Sequence, residues 1–254
     1  MRCEIPGLPE SQSTLQMLAA QPHVWIVEFD PDSCVDSLCS QLSQEEINLS
    51  LEYVDARDRV RFVLGRVLAR QLIAVYLGTS AAKVCITSSG AGKPVLAAVE
   101  PGDHLEFNLS HCGGALALAF SKSGPVGVDI EGLRPSPDFS RTVVRLFCPE
   151  EREFVRSLAA ADAAEQISRI WCRKESFLKG LGVGLSGARD LQLPLTGSNT
   201  VLPTANGEHW WISDIQVEGY AAALAFRGAR RRDPRIIRAR LCRDSVYGAG
   251  IDLQ

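Results

Sequence analysis

Gly114-Ala-Leu-Ala-Leu-Ala-Phe120 and Gly219-Tyr-Ala-Ala-Ala-Leu-Ala-Phe226 are two similar apolar stretches whose first residues lie 105 positions apart. Each follows a glycine turn, which predicts the second strand of a β-hairpin. In the first half of the chain 50 residues separate Arg70 from Phe120, and in the second half 47 residues separate Lys179 from Phe226. The same order of helix and hairpin at nearly the same spacing predicts two related halves.

The elements around these stretches repeat in the same order. In the first half the hydrophobic pattern predicts a strand over residues 24–29, a helix over 58–77 and hairpin strands over 105–109 and 115–120. In the second half it predicts a strand over residues 126–131, a helix over 165–179 and hairpin strands over 210–217 and 220–226. We therefore expect an α+β fold whose two similar halves are related by a pseudo-twofold axis, with the active site at their interface.

The domain boundaries follow from these elements. We expect an N-terminal α+β half over residues 1–125, a C-terminal α+β half over 126–228 and a basic C-terminal tail over 229–254. Eight arginines lie between Arg227 and Arg243. A solvated tail beyond the last strand explains them more simply than a specific anionic partner does.

Length and composition exclude several classes of protein. The chain has 254 residues, 46% of them hydrophobic and 22% charged, which is typical of a globular protein with a sizeable core. Its net charge of −3 argues against a nucleic-acid partner. We find no signal peptide, no apolar run of membrane-spanning length and no C-x-x-C pair among the eight cysteines. We expect a cytoplasmic protein with reduced cysteines, no membrane contact and no structural zinc site.

Two carboxylates lie side by side in Pro125-Val-Gly-Val-Asp-Ile-Glu131. In a strand the side chains alternate, so Asp129 and Glu131 share one face. Their mutual repulsion is costly unless solvent or a cation relieves it, and Mg2+ prefers carboxylate oxygens. A solvated acidic face on an edge strand is the alternative, and this motif alone does not decide between the two.

A third carboxylate lies on the helix Trp171-Cys-Arg-Lys-Glu-Ser-Phe-Leu-Lys179. Glu175 and Lys179 are one turn apart on the same helix face, which by itself indicates no more than a surface ion pair. Beside Asp129 and Glu131, however, they would supply another oxygen for a cation and an ammonium group for phosphoryl charge.

Ser110 and His111 follow a predicted strand in Phe107-Asn-Leu-Ser-His-Cys-Gly-Gly114. Their position before a glycine turn suits anion binding, whereas no Gly-x-Ser-x-Gly elbow supports a nucleophilic serine. Hydrogen bonds within the turn are an equally good explanation. Gly92-Lys-Pro94, read alone, indicates an ordinary turn.

Taken together and in this order, these motifs closely resemble the signature of the Sfp-type 4′-phosphopantetheinyl transferases. The resemblance extends from about Ser43, through Arg61-Phe-Val-Leu-Gly-Arg66, to Phe226. It implies an enzyme that moves the 4′-phosphopantetheine arm of coenzyme A (CoA) onto a serine of an apo acyl or peptidyl carrier protein. The reaction releases 3′,5′-ADP and uses Mg2+, with Mn2+ as a substitute. The resemblance also implies a monomer and places the CoA nucleotide and the 3′-phosphate on the N-terminal half.

The resemblance also implies a role for each matching residue. The metal ligands would be Asp129, Glu131 and Glu175, and Glu175 is also a candidate general base, directly or through water. Lys179 and His111 would contact the phosphates and take part in catalysis. The remaining CoA contacts would come from Ser110, from the chain around Lys93 and Pro94, and from Arg61 at the 3′-phosphate. Glu151 matches a further acid of the family, with a secondary role.

One departure from the family pattern affects the 3′-phosphate. Family members often have basic residues upstream of the Arg61 position, where this chain reads Gln44-Glu-Glu-Ile-Asn-Leu-Ser-Leu-Glu52. Two other functions remain open from the sequence: a non-catalytic module of the same fold that binds CoA or a carrier, and another Mg2+-dependent enzyme that cleaves diphosphates. The pathway that the carrier serves and the acceptance of acyl-CoAs are not encoded in these motifs.

Overall fold

The computed structural model describes residues 18, 20–89, 92–97, 104–195, 199–203 and 208–241, together with the backbone of 251–253. Within these residues no helix combines the length and the apolar character that crossing a bilayer requires. The expectations that fall on residues 1–17, including the N-terminal sequence and Cys3, lie outside the described residues, as does Cys242.

The N-terminal half begins with β1 (His23–Glu28), which leads to the helices α1 (Gln44–Leu51) and α2 (Ala56–Leu77). Helix α1 starts at a capping box in which Ser43 and Glu46 bond each other's backbone N–H groups. Asp55 caps α2, and Gly78 ends it in the left-handed conformation that glycine tolerates best. After these helices come a small hairpin, β2 (Ile86–Ser88) and β3 (Pro94–Leu96), and a longer one, β4 (Glu106–Cys112) and β5 (Ala115–Ser121).

The C-terminal half begins with β6 (Val126–Gly132). Three helices follow, α3 (Pro137–Val144), α4 (Pro149–Arg156) and the long α5 (Ala160–Leu181). The half is completed by β7 (Asn199–Pro203), β8 (His209–Val217) and β9 (Tyr220–Gly228).

The two halves have the same topology. In the first, β1, α2, β4 and β5 follow one another along the chain and the strands lie in the order β1-β5-β4. In the second, β6, α5, β8 and β9 do the same, with the order β6-β9-β8 extended by β7. All of these neighbouring pairs are antiparallel. The expected α+β fold of two similar halves is confirmed.

The two sheets pack face to face between the long helices. Val24, Ile26 and Ala117 of the first sheet belong to one buried cluster with Val128 and Leu224 of the second. The opposite face of the first sheet packs on α2. Helix α5 lies against β6 and β9 on the outer face of the second sheet. These layers leave the end of β4 beside β6, and it is there that the chemically interesting side chains meet.

The basic segment after residue 228 differs from the expected tail. Residues Arg235–Leu241 form β10, which pairs in parallel with β1 and extends the first sheet, and Ile251–Leu253 form β11 beside it. Ile237, Ala239 and Leu241 alternate along β10 and join the core under α2. The expectation of a tail beyond the last strand was therefore wrong for residues 235–241, because apolar side chains at the alternate positions 237, 239 and 241 give this segment a face that it can bury. Residues 242–250 and 254 lie outside the described part.

Candidate active site

Two glycines allow α5 to lie directly on β6. A Cβ on Gly127 would overlap the Ser176 carbonyl oxygen and the Gly180 amide, and one on Gly180 would stand 2.6 Å from the Trp210 ring. The backbones of the strand and the helix therefore touch. This contact brings one face of α5, with Glu175 and Lys179, over the polar face of β6.

Gly127→Ala should destabilise the protein by about 3 kcal/mol, because the added methyl group must push α5 away from β6. Gly132→Ala is the matched control on the same strand, since a Cβ there meets nothing within 4 Å. Urea unfolding of both variants checks the prediction. Equal stability of the two would contradict the close packing that we describe.

Three carboxylates meet where β6 and α5 touch. Oxygen atoms of Asp129, Glu131 and Glu175 lie within 4.8 Å of one another. Asp129 is 1% exposed, and its Oδ2 atom is buried without a hydrogen-bond partner among the described residues. A buried, unpaired carboxylate oxygen is costly, so it indicates a place for a cation or a donor that arrives from outside.

The crowding of these acids raises the pKa of two of them. Burial and the neighbouring Asp129 carboxylate raise the pKa of Glu131 to about 8. The same two causes raise the pKa of Glu175. Near neutral pH Glu131 therefore keeps a proton unless a cation takes its place.

Lys179 balances part of this negative charge. Its Nζ donates to Asp129 Oδ1 at 2.7 Å and to Ser110 Oγ at 2.9 Å, and it lies 3.4 Å from Glu175 Oε1. Burial alone would lower the pKa of Lys179, but Asp129 and Glu175 outweigh it and raise that pKa. Ser110 also donates to Asp129 Oδ1 at 2.7 Å, so β4 of the first half contacts the acids of the second half.

Basic side chains lie near the end of β4. Arg61 donates to the Gly113 carbonyl at 3.2 Å and pairs with Asp58. Desolvation of the ring, with the positive charges of Arg61 and Lys179, lowers the pKa of His111. Arg61 and Lys179 thus place positive charge near His111, which suits the binding of an anion.

A pocket of about 300 Å3 opens beside these groups. Of the residues expected at the site, Lys93, Pro94, Glu175 and Lys179 line it. Arg61, Ser110, His111, Asp129 and Glu131 are not among the described residues on its wall. Its other lining residues are Gly92, Asn108, Leu109, Leu178, Gly182, Gly184 and Leu185.

Two buried residues that support the site, Lys174 and Asn108, were not predicted from the sequence. Lys174, inside the helical motif, is not among the described residues that line the pocket. It donates to Glu151 Oε1 at 2.9 Å and Oε2 at 2.7 Å, with both side chains buried. Asn108 accepts a hydrogen bond from the Val128 N–H at 2.9 Å. The only signal for Lys174 is its place on the buried stripe of α5, and no sequence pattern points to the bond of Asn108.

Comparison with known proteins identifies the family. Residues 125–225 match a model described as "4′-phosphopantetheinyl transferase superfamily", and residues 31–123 match one described as "4′-phosphopantetheinyl transferase, N-terminal". The 4′-phosphopantetheinyl transferase HetI of Nostoc sp. is 31% identical over 183 residues, which cover 72% of this chain and 77% of HetI. The chain belongs to the 4′-phosphopantetheinyl transferase superfamily. The resemblance seen in the sequence is confirmed, and the chain is a transferase of the phosphopantetheinyl group.

Other proteins named as phosphopantetheinyl transferases are similar over a shorter range. The mouse L-aminoadipate-semialdehyde dehydrogenase-phosphopantetheinyl transferase is 34% identical over 142 residues, which cover 53% of this chain and 46% of the mouse protein. A phosphopantetheinyl transferase of Thraustochytrium sp. is 32% identical over 155 residues, covering 57% of this chain and 54% of that protein.

Proposed function

We propose that this phosphopantetheinyl transferase moves the arm of CoA onto a serine hydroxyl of an apo acyl or peptidyl carrier protein and releases 3′,5′-ADP. One observation carries the proposal: in a chain of this family, three carboxylates and Lys179 of the C-terminal half meet next to Ser110 of the N-terminal half, beside a pocket. Such a group can position a diphosphate and neutralise the charge that develops on it, which is most of what phosphoryl transfer asks of a protein.

The acids fit a hard divalent cation. Asp129, Glu131 and Glu175 offer oxygen ligands only, and Asp129 Oδ2 has no hydrogen-bond partner among the described residues. Mg2+ suits these ligands, and Mn2+ is the natural substitute. When bound, the metal would act as a Lewis acid on the diphosphate.

The protein groups hold the substrate and accept a proton. Lys179 and His111 would contact the phosphates, while Ser110 and the main chain at Lys93 and Pro94 would hold the nucleotide. The carrier serine oxygen attacks the phosphorus that bears the pantetheine arm, and the bond from that phosphorus to 3′,5′-ADP breaks. The serine proton passes to Glu175 directly or through water.

Arg61 is proposed at the 3′-phosphate. Its guanidinium stands beside Gly113 and outside the pocket wall, with Asp58 as its ion-pair partner. Arg61→Ala should weaken the binding of CoA about tenfold more than the binding of dephospho-CoA, because one charged contact contributes about 1.4 kcal/mol. The KM values for the two substrates check this. An equal increase in KM for both substrates would show that Arg61 does not contact the 3′-phosphate.

The transfer itself is tested by mass spectrometry. Purified protein with CoA, Mg2+ and a panel of apo-carriers from the same cell should add one phosphopantetheine arm to at least one carrier. CoA binding without transfer to any carrier would favour the non-catalytic module. Metal-dependent cleavage of CoA in the absence of a carrier would favour a diphosphate-cleaving enzyme.

Mg2+ should stabilise the protein more as the pH rises towards 8. The folded protein keeps a proton on Glu131, whereas the unfolded chain loses it near the ordinary glutamate pKa of 4.5. Without the cation, Glu131 therefore costs stability progressively as the pH rises from 4.5 to about 8. The increase in Tm on adding Mg2+ should grow over this window and level off above it. Glu131→Gln is the control, and an Mg2+ effect of the same size at every pH would contradict the prediction.

An exposed apolar patch lies beside the pocket at the end of α5. Leu181, Val183 and Leu185 are 43%, 50% and 48% exposed, and Leu185 also lines the pocket. We assign this patch to the carrier, because exposed apolar side chains at the mouth of a site suit a protein partner. We also propose that the enzyme is cytoplasmic and binds neither nucleic acid nor a membrane, in keeping with its balanced composition. The proposal that it is a monomer rests on the family resemblance.

Val183→Asp should raise the KM for the carrier about tenfold and leave the KM for CoA unchanged. Val201→Asp is the matched control, since Val201 is 45% exposed on β7 and does not line the pocket. Steady-state kinetics with each substrate varied in turn give both values. Equal carrier KM values for the two variants would exclude the patch as the docking surface.

A further inference from the structure

Among the described residues, no strand pairs with one edge of β6. Strand β6 ends the order β6-β9-β8-β7, and its strand-to-strand hydrogen bonds within that part of the chain run to β9. In an antiparallel pair, the main-chain groups of alternate residues point to opposite edges. The groups at the other edge need partners of another kind, because buried backbone N–H and C=O groups are almost always paired.

Side chains form hydrogen bonds with main-chain groups at this edge of β6. Lys93 Nζ donates to the Val126 carbonyl at 3.4 Å, the Val128 N–H donates to Asn108 Oδ1 at 2.9 Å, and Ser168 Oγ donates to the Gly132 carbonyl at 2.6 Å. Val126, Val128 and Gly132 have even numbers and therefore present their main chain to the same edge. Two of the three partners, Lys93 and Asn108, come from the N-terminal half.

Asn108 is the most enclosed of the contacts from the first half. It is 2% exposed, and its carbonyl oxygen accepts from the residue directly before Asp129. Asn108 and Ser110 lie two apart on β4 and share a face. Ser110 donates to the Asp129 carboxylate itself. Side chains on one face of β4 thus bond both to the main chain of Val128, which directly precedes Asp129, and to the Asp129 carboxylate.

We infer that Asn108 is a positioning residue that sets the place of Asp129 relative to the N-terminal half. Its side-chain carbonyl fixes the Val128 amide, and the rigid strand transmits that position to the next residue. Groups that orient a metal ligand from behind typically change metal affinity or activity by about 10- to 100-fold when they are removed. The inference rests on the proposed function, because it assumes that Asp129 binds a divalent cation.

A second role for Asn108 would give a different result. Asn108 also lines the pocket, so its NH2 group could instead hold the substrate. Loss of a substrate contact raises the KM for CoA. Loss of the positioning of Asp129 instead lowers the affinity for the metal and lowers kcat. These two outcomes separate the roles.

The first variant is Asn108→Leu, which keeps the approximate volume and removes the acceptor. Mn2+ affinity, measured by water-proton relaxation in the full-length protein, should fall about tenfold or more, with less than a threefold change in the KM for CoA. A tenfold rise in that KM with unchanged Mn2+ affinity would overturn the inference. Asp129→Asn provides the reference: if it leaves Mn2+ binding unchanged, the proposed metal site fails, and not the role of Asn108 alone.

The second variant is Asn108→Asp, which keeps an oxygen acceptor for the Val128 N–H and lacks the NH2 group. Hydrogen exchange of the Val128 amide should stay within about threefold of the parent protein, while Asn108→Leu should accelerate it about tenfold or more. The exchange rate can be measured without metal and without enzymatic activity. If Asn108→Leu does not fold, the exchange rate in Asn108→Asp still tests the inference. Rapid exchange in Asn108→Asp, or unchanged exchange in a folded Asn108→Leu, would show that the carbonyl of residue 108 does not hold β6.

Discussion

Asp129→Asn should lower the rate of phosphopantetheine transfer about a thousandfold and leave the fold intact. Asparagine keeps the shape of the side chain but removes the charge that would hold a divalent cation and that pairs with Lys179 at 2.7 Å. A metal ligand of this kind supports several kcal/mol of transition-state stabilisation, and about 4 kcal/mol corresponds to a factor of a thousand. Transfer to an apo-carrier, followed by mass spectrometry, gives the rate.

The fold should tolerate this change because it relieves repulsion. The Asp129 charge raises the pKa of both Glu131 and Glu175, so removing it makes their ionisation easier. Lys179 retains Glu175 as a partner at 3.4 Å. The Tm of Asp129→Asn should therefore equal or exceed that of the parent protein.

The matched control is Asp138→Asn, at an exposed position in the first turn of α3. Its transfer rate should stay within about twofold of the parent rate, because surface charges contribute little. If Asp129→Asn, with an unchanged Tm, retained more than a tenth of the parent rate, Asp129 would not be a metal ligand in this reaction.

Local patterns in the sequence predicted the polar face of the site. The period of two along β6 places Asp129 and Glu131 on one side, and the helical spacing places Glu175 and Lys179 one turn apart. The structure brings the three acids within 4.8 Å of one another. The metal and CoA roles of these residues stay predictions, which rest on the chemistry of the side chains and on the family resemblance.

Long-range contacts could not be predicted in the same way. The bond between Asn108 and Val128 joins strands of different halves, and nothing in either motif encodes which strand edges meet. The basic C-terminal segment gave a misleading signal for a similar reason. Its arginines suggested a solvated tail, whereas Ile237 and Ala239 bury one face of β10 against the core. Pairing of β10 with β1, more than 200 residues earlier, depends on the tertiary fold.

Lys174 illustrates a motif residue whose role is structural. It lies next to Glu175, yet its ammonium group is buried with Glu151 and also donates to the Leu191 carbonyl. Glu151 in turn accepts from the Cys148 N–H at the start of α4. The pair therefore ties α5 to α4 and to the segment after α5, behind the site.

Lys174→Met should destabilise the protein by about 3 to 5 kcal/mol, because it leaves the Glu151 carboxylate buried without its counter-charge. Arg169→Met on the same helix is the matched control. Its i,i+4 pair with Glu165 is partly exposed, so its loss should cost only about 0.3 to 0.5 kcal/mol. The double variant with Glu151→Leu should regain part of the loss, since it removes the unpaired charge. Urea unfolding of the four proteins gives these values. Equal losses for Lys174→Met and Arg169→Met would mean that water reaches Glu151, and the pair could not then fix α5 against α4.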